Sequence, residues 1–180
     1  MKIMKFLKIY YRNILQYEFL NKFNYLNIKK LPKLVSIILK FDLRNNDFKS
    51  LINVLIALEL ISKTKSFIIL SKNTKMELKI VKGTPIGCKV ILRNNNLLKF
   101  LNKLLNKCVI QNSNTKVNDE NKKGFSFSFK ISNLMLFEEL EYNYIFFKSL
   151  SSLSVTFITT AMSKNEFIYL LNSYKIKKQM

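Results

Sequence analysis

The chain has no histidine and no tryptophan, and it holds only two cysteines, two prolines and three glycines. Without histidine the commonest general base and metal ligand near neutral pH is missing, so an enzyme built on this sequence would have to manage its proton transfers by other means. Cys88 and Cys108 are not spaced as a CxxC pair and no secretory signal accompanies them, so neither a zinc ribbon nor a disulfide framework is indicated. Both are read as reduced, partly buried thiols, and no metal or cofactor is implied. Acidic residues are scarce: 11 Asp and Glu stand against 31 Lys and Arg, for a formal net charge of +20. An imbalance of that size points to a polyanionic partner, nucleic acid first. Long apolar runs are lacking as well. Nothing approaches the ~18 uninterrupted apolar residues that span a bilayer, and the best stretch, Leu51 to Ile61, is short and contains Glu59.

What remains is enough for a core, since 48% of 180 residues are hydrophobic, and this length fits one domain over residues 1–180. Lys, Asn, Ile, Phe, Tyr and Leu crowd the chain in the way typical of very AT-rich genomes. Such bias inflates Lys and Asn together but does not remove acidic residues, so the charge is read as RNA binding.

The apolar pattern predicts the order of elements. Ile3, Phe6, Leu7, Tyr10, Ile14 and Leu15 recur at three- and four-residue steps and place an amphipathic helix over residues 1–22. Pro32 interrupts any helix, and Leu34 to Phe41 reads as a buried strand. The polar stretch from Arg44 to Asp47 offers a cap to a second helix whose core stripe is Phe48, Leu51, Ile52, Leu55, Leu58 and Ile61. Strands are expected at Ser66 to Leu70, Glu77 to Lys82 and Lys89 to Arg93, and a third helix carries Leu97 through Cys108. The polar stretch 111–123 reads as an exposed loop. Phe125, Phe127, Phe129 and Ile131 alternate with Ser126, Ser128, Lys130 and Ser132, giving a strand with one apolar and one wet face. A last strand, Leu153 to Thr160, leads to the S-x-x-E capping box of Ser163 and Glu166 and a helix with Phe167, Leu170 and Leu171. The expected fold is α+β, an antiparallel β-sheet with α-helices packed on one face.

Two of the three glycines and one of the two prolines fall within Gly83, Thr84, Pro85, Ile86 and Gly87, marking a turn with special backbone needs. The chain continues Cys88, Lys89, Val90, Ile91, Leu92, Arg93. This G-x-P-I-G-C-K-V-x-L-R string resembles the signature of the fifth large-subunit ribosomal protein, the universal component that holds 5S ribosomal RNA in the central protuberance. Weaker matches fall in family order: Tyr10-Tyr11, Phe23-Asn24-Tyr25, Leu31-Pro32-Lys33, Leu60-Ile61-Ser62, Phe137 to Tyr142 and Thr159-Thr160-Ala161. They cover nearly the whole chain, from about Leu7 onward. The N-terminal segment, with Lys2, Lys5, Lys8 and Arg12 and no acid before Glu18, has the look of a targeting sequence. The resemblance assigns it to the domain and leaves little room for a cleavable leader.

The resemblance implies a structural, non-enzymatic component of the large subunit. Its expected partners are large-subunit ribosomal RNA, 5S ribosomal RNA where present, peptidyl-site transfer RNA, neighbouring central-protuberance proteins and a small-subunit head protein across the intersubunit bridge. Lys33, Lys40, Lys82, Lys89 and Arg93, on or beside matching strands, are the expected ribosomal RNA contacts. Lys72, Thr74 and Lys75 occupy the loop that in the family projects toward transfer RNA, and Glu138, Glu139 and Glu141 would face the small subunit. Gly83, Pro85 and Gly87 form the structural turn. The sequence departs from the family where Lys40 to Arg44 replace a glycine-bearing segment, and where Asn112 to Lys123 replace an Arg- and Gly-rich loop. Composition and divergence together point to an organelle-encoded gene, mitochondrial before plastid. Two other classes predict different features: a nucleic-acid-processing enzyme needs an acidic metal cluster, and a membrane-surface protein needs the basic N-terminal helix to bind anionic lipid.

Overall fold

Strands alternate with helices along this protein, whose computed structural model describes residues 2–25, 27–43, 47–74, 76, 80–106, 115–120, 124–174 and 176. In chain order the elements are α1 (Lys2–Tyr10), a π turn (Tyr11–Leu15), α2 (Gln16–Lys22), a 3-10 turn (Ile28–Lys30), β1 (Leu34–Asp42), α3 (Phe48–Ser62), β2 (Phe67–Leu70) and β3 (Pro85–Arg93). There follow α4 (Asn94–Asn106), β4 (Thr115–Glu120), β5 (Gly124–Ile131), a 3-10 turn (Leu134–Leu136), α5 (Glu138–Glu141), α6 (Tyr144–Phe147), β6 (Leu153–Thr159) and α7 (Lys164–Ser173). The strands form a six-stranded antiparallel sheet in the order β2-β3-β1-β6-β5-β4, the α+β class that the alternation of strands and helices predicts.

The chain forms two compact units. The first comprises Met1–Ile37, Arg93–Phe129 and Thr156–Met180. Its centre is aromatic: Phe129 stacks on Phe157 at 5.9 Å between ring centroids, with Phe127 5.7 Å from Phe129. Phe127 and Phe129 meet Phe157 because residues two apart in a strand point to the same face. Burying each such ring stabilises by roughly 1.5–3 kcal/mol. Phe167 of α7 stacks on Phe125 at 5.6 Å. The start of α7 is fixed by the expected capping box, with the Ser163 hydroxyl accepting from the Glu166 amide at 3.2 Å and Glu166 Oε2 accepting from the Ser163 amide at 3.5 Å. Tyr169 of α7 stands edge-on to Phe19 of α2 at 5.2 Å, donates its hydroxyl to Glu18 at 3.0 Å and carries Lys22 Nζ 4.2 Å above its ring.

In this unit two expectations change. The N-terminal helical segments bury Leu7, Leu15 and Phe19 while Phe6 and Ile14 of the expected stripe stay exposed; at Ile14 the π turn adds a residue and rotates the face. Residues 111–123, expected to be a loop, include strand β4, paired antiparallel with β5 from Thr115↔Phe129 to Glu120↔Gly124. Ladder hydrogen bonds come from the backbone, so a polar segment can join an open strand edge without any apolar face. Residues 107–114 and 121–123, and with them Cys108, lie outside the described residues.

The second unit comprises Ile38–Leu92 and Lys130–Val155. It holds α3, which packs against α5 and α6, with Asn53 donating its side-chain amide to the Phe146 carbonyl at 3.2 Å. The buried side of α3 is Leu51, Val54, Ala57, Leu58 and Ile61. Phe48 and Ile52, expected in its core stripe, are exposed, Phe48 at 76%. The helix carries apolar residues on nearly all sides, so periodicity alone does not select the inward face. Asp47 occupies the cap position, but no side-chain cap bond forms, and Arg44, Asn45 and Asn46 lie outside the described residues. At the other end Glu59 accepts from both the amide and the hydroxyl of Ser66, at 3.0 and 3.1 Å, tying the exit of α3 to the start of β2.

The segment from 83 to 87 also differs from expectation. Only Gly83 is a turn residue, with φ +89°, whereas Pro85 opens β3 and Gly87 lies within it. Gly87 is needed for space: a Cβ there would collide with the carbonyl oxygen of Phe41. The strand expected at Glu77 to Lys82 is not formed by its described residues, since Ile80 makes one isolated bridge and Lys82 and Gly83 turn. Residues 77–79 lie outside the description.

Candidate nucleic-acid interface

Strand β3 sorts its side chains by the pleat. Cys88, Val90 and Leu92 are buried, and Lys89, Ile91 and Arg93 point the other way and are exposed. The two cations are thus held four residues apart on one face by a strand whose opposite face is core, which fixes their separation better than a loop would. Burial pushes the Cys88 thiol up to about 11, so it stays protonated and unreactive. Lys89 lies opposite Phe67 in the β2–β3 register.

The other expected RNA contacts are placed less simply. Lys33 is exposed just before β1, and its backbone amide donates to the Thr160 hydroxyl at 3.0 Å, which anchors the backbone and leaves the ammonium outward. Lys40 is half-exposed on β1 and forms an ion pair with Asp42 at 2.7 Å. A surface pair of this kind is worth about 0–1 kcal/mol, so a phosphate can displace it, yet Asp42 lowers the local positive potential. Lys82 is exposed, and its amide donates to the Thr74 hydroxyl at 3.4 Å.

That last bond bears on the loop between β2 and β3. Its base is closed by Ser71 donating to the Thr84 carbonyl at 2.9 Å and Gly83 donating to the Ser71 carbonyl at 3.0 Å. Lys72 and Thr74 are exposed within it, but the Thr74 hydroxyl already serves the loop as an acceptor. Lys75 lies outside the described residues. Glu138, Glu139 and Glu141 all belong to α5, a single turn, where carboxylates also favour the positive end of the helix. Glu138 and Glu141 are exposed and Glu139 is half-buried.

The phenylalanine stripe of β5, which a base-stacking sheet would expose, is instead inward: Phe127 and Phe129 are buried. Its wet face is only partly wet, because Ser126 is buried while Lys130 is exposed. Among the described residues no group of three His, Cys, Asp or Glu side chains could hold a metal ion. No helix among them is long and apolar enough to cross a membrane. Lys8 and Arg12, which the sequence reading leaves out of the interface, line a cavity of the first unit together with Lys33.

Comparison with known proteins identifies the family. Residues 85–177 match the model of the C-terminus of the ribosomal L5 family. The large ribosomal subunit protein uL5m of Reclinomonas americana is 33% identical over 175 residues, covering 94% of this chain and 96% of that protein. The large ribosomal subunit protein uL5 of Nitrosomonas europaea is 30% identical over 175 residues (92% and 94%), and that of Wigglesworthia glossinidia brevipalpis is 31% identical over 180 residues (95% and 97%). The matched segment begins at the Pro85-Ile86-Gly87-Cys88 opening of β3. With its basic strand face, its α+β sheet and relatives matched along nearly their full length, the chain belongs to the L5 family of large-subunit ribosomal proteins, structural constituents of the ribosome rather than enzymes.

Proposed function

We propose that the protein holds ribosomal RNA in the central protuberance of a mitochondrial large subunit, with the exposed face of β3 as its principal grip. The observation that carries this reading is the pair Lys89 and Arg93, outward on a strand whose other face is buried. Phosphate contacts of this kind position a protein on RNA and release counterions, so retention falls as salt rises. Lys33 and Lys82 add exposed cations, and Lys40 joins once Asp42 is displaced. Where the ribosome contains 5S RNA, that RNA is the partner of this grip. Lys72, at the exposed end of the β2–β3 loop, meets the backbone of peptidyl-site transfer RNA, and the carboxylates of α5 face a basic protein of the small-subunit head. The mitochondrial assignment is supported by the uL5m of Reclinomonas americana and by the Lys- and Asn-rich composition of an AT-rich genome.

The test is Lys89→Glu combined with Arg93→Glu in tagged protein assembled into ribosomes. Both positions are exposed, so the isolated protein keeps its circular dichroism and melting transition. Large subunits washed at rising salt then lose the double variant at a lower concentration than the parent. Equal retention of the two proteins would remove β3 from the interface.

A further inference from the structure

The first unit contains a cavity of about 340 Å³ between its N-terminal helical segments, the start of β1, the start of α4 and Tyr174. Its polar wall is cationic. Lys8 and Arg12 lie four residues apart on the helical segments, Lys33 stands at the entry to β1, and no Asp or Glu among the described residues lines the space. None of the three cations is ion-paired among the described residues. Asn94 and Asn95 line it too, so the positive end of the 13-residue helix α4 lies at the same wall, with first-turn N–H groups that have no partner within the helix. Asn94 adopts φ +49°, which lets β3 pass directly into α4 and sets where that helix begins.

The remaining wall is apolar and aromatic. Leucine side chains of α4 flank Tyr11, whose ring is pinned by a hydroxyl that donates to the Pro32 carbonyl at 3.0 Å. Tyr174 is only 6% exposed and stands edge-on to Tyr10. As a lining residue it offers its phenol to a ligand that accepts a hydrogen bond. An anionic wall-partner, a flat apolar body and a hydrogen-bond acceptor are together the chemistry of a nucleotide.

We propose that this cavity seats one nucleotide, its phosphate against Lys8, Arg12, Lys33 and the start of α4, and its base against Tyr11 and the leucines, within reach of the Tyr174 hydroxyl. The proposal rests on the ribosomal RNA reading above, which makes the occupant a nucleotide extruded from a single-stranded segment; unstacked bases are how proteins read RNA. Ligand pockets begin near roughly 300 Å³, so a single nucleotide fills the space and a stacked pair does not enter. A free nucleotide presents the same chemistry, and the experiment separates the two sources.

The full-length protein is titrated with a uridylate hexamer carrying one 4-thiouridine, with free uridine 5′-monophosphate, and with ribosomal RNA extracted from large subunits. Photocrosslinks to the hexamer are then mapped by mass spectrometry. The expected crosslinks fall on Tyr11, Leu97, Leu98 or Tyr174. Val35→Trp, which fills the cavity from an exposed edge, and Arg12→Glu, which removes a phosphate contact at the surface, each weaken hexamer binding by roughly 5- to 100-fold, the range of one stacked base. The long ribosomal RNA, held by the β3 cations as well, loses less than about threefold, as distributed phosphate contacts predict. Circular dichroism checks both folds, and Arg12→Glu keeps the test open if the tryptophan disturbs packing. Monophosphate binding as tight as the hexamer would overturn the strand as source in favour of a free nucleotide. Crosslinks elsewhere, with both variants unchanged, overturn the cavity while sparing the ribosomal RNA reading; failure of the parent protein to bind the extracted RNA overturns both.

Discussion

The two units of this protein manage apolar surface differently. In the first, Phe19, Phe127, Phe157 and Phe167 are fully buried, with aromatic contacts from strand to strand and from helix to helix, and the exposed Phe6, Ile9, Ile14 and Tyr17 lie on its N-terminal helical segments. In the second, α3 keeps Phe48, Ile52, Ile56 and Leu60 on its outer side at four-residue spacing, and Phe67, Leu70, Ile145 and Phe146 are exposed as well. Both units thus leave apolar surface in water, the first on its N-terminal helical segments and the second along α3. A protein that works inside a large assembly is under less pressure to close every core by itself, so the isolated chain is expected to be unevenly stable.

The sharpest probe of that contrast is Phe129→Ala in the first unit, which empties a site enclosed by Phe127 and Phe157. It is expected to cost about 3–5 kcal/mol in chemical denaturation, and a loss below about 1 kcal/mol would mean the aromatic centre relaxes far more than close packing allows. Next comes Gly87→Ala in the second unit, where the added methyl meets the Phe41 carbonyl; overpacking of this kind costs about 1–3 kcal/mol. Gly83→Ala, with open space around its Cβ but φ +89°, should cost only about 1 kcal/mol. If Gly83 proved the costlier of the two, the segment would be limited by turn conformation and not by the approach of β1 to β3.

A smaller effect is expected at Glu59. The Ser66 amide and hydroxyl hold its carboxyl below the usual carboxylate range. A carboxyl depressed in the folded state contributes stability above its unfolded value of about 4.3, and that contribution is lost as the pH falls through the lower folded value. The protection factor of the Ser66 amide, its exchange corrected for the intrinsic rate, should therefore fall on acidification, and Glu59→Ala should remove the dependence. An unchanged protection factor would show that the entry to β2 is held by its ladder with β3 alone. Least of all, Ile52→Lys on the outer side of α3 should leave the stability of the free protein within about 0.5 kcal/mol. A large loss there would mean that side is covered within the chain.

What the sequence discloses depends on whether a signal is local. The alternation of β5, the Leu153 to Thr159 strand and the Ser163–Glu166 capping box appear in the structure where the residue pattern places them, because each is set by neighbours a few positions away. The inward face of α3 was not legible, since apolar residues surround that helix and only tertiary packing chooses among them. Gly87 reads as a turn residue in isolation; its role depends on Phe41, which is 46 positions away in the chain. Strand β4 was hidden by its polarity, and the Lys40–Asp42 pair by the fact that an ion pair across one pleat leaves no mark in periodicity. Lys89 and Arg93 were singled out by the family resemblance and their exposure follows strand alternation, while the cavity beside Tyr174 joins residues from the two ends of the chain and from its middle.

Contact between the outward face of β3 and ribosomal RNA is the central claim. The most direct measurement is ultraviolet crosslinking of the protein within purified ribosomes, with sequencing of the attached RNA and mapping of the crosslinked peptides. The expected result is a crosslinked peptide spanning Lys89 to Arg93, joined to large-subunit RNA of the central protuberance, with 5S reads wherever that RNA exists. A protein that sediments apart from large subunits and carries no ribosomal RNA would contradict it.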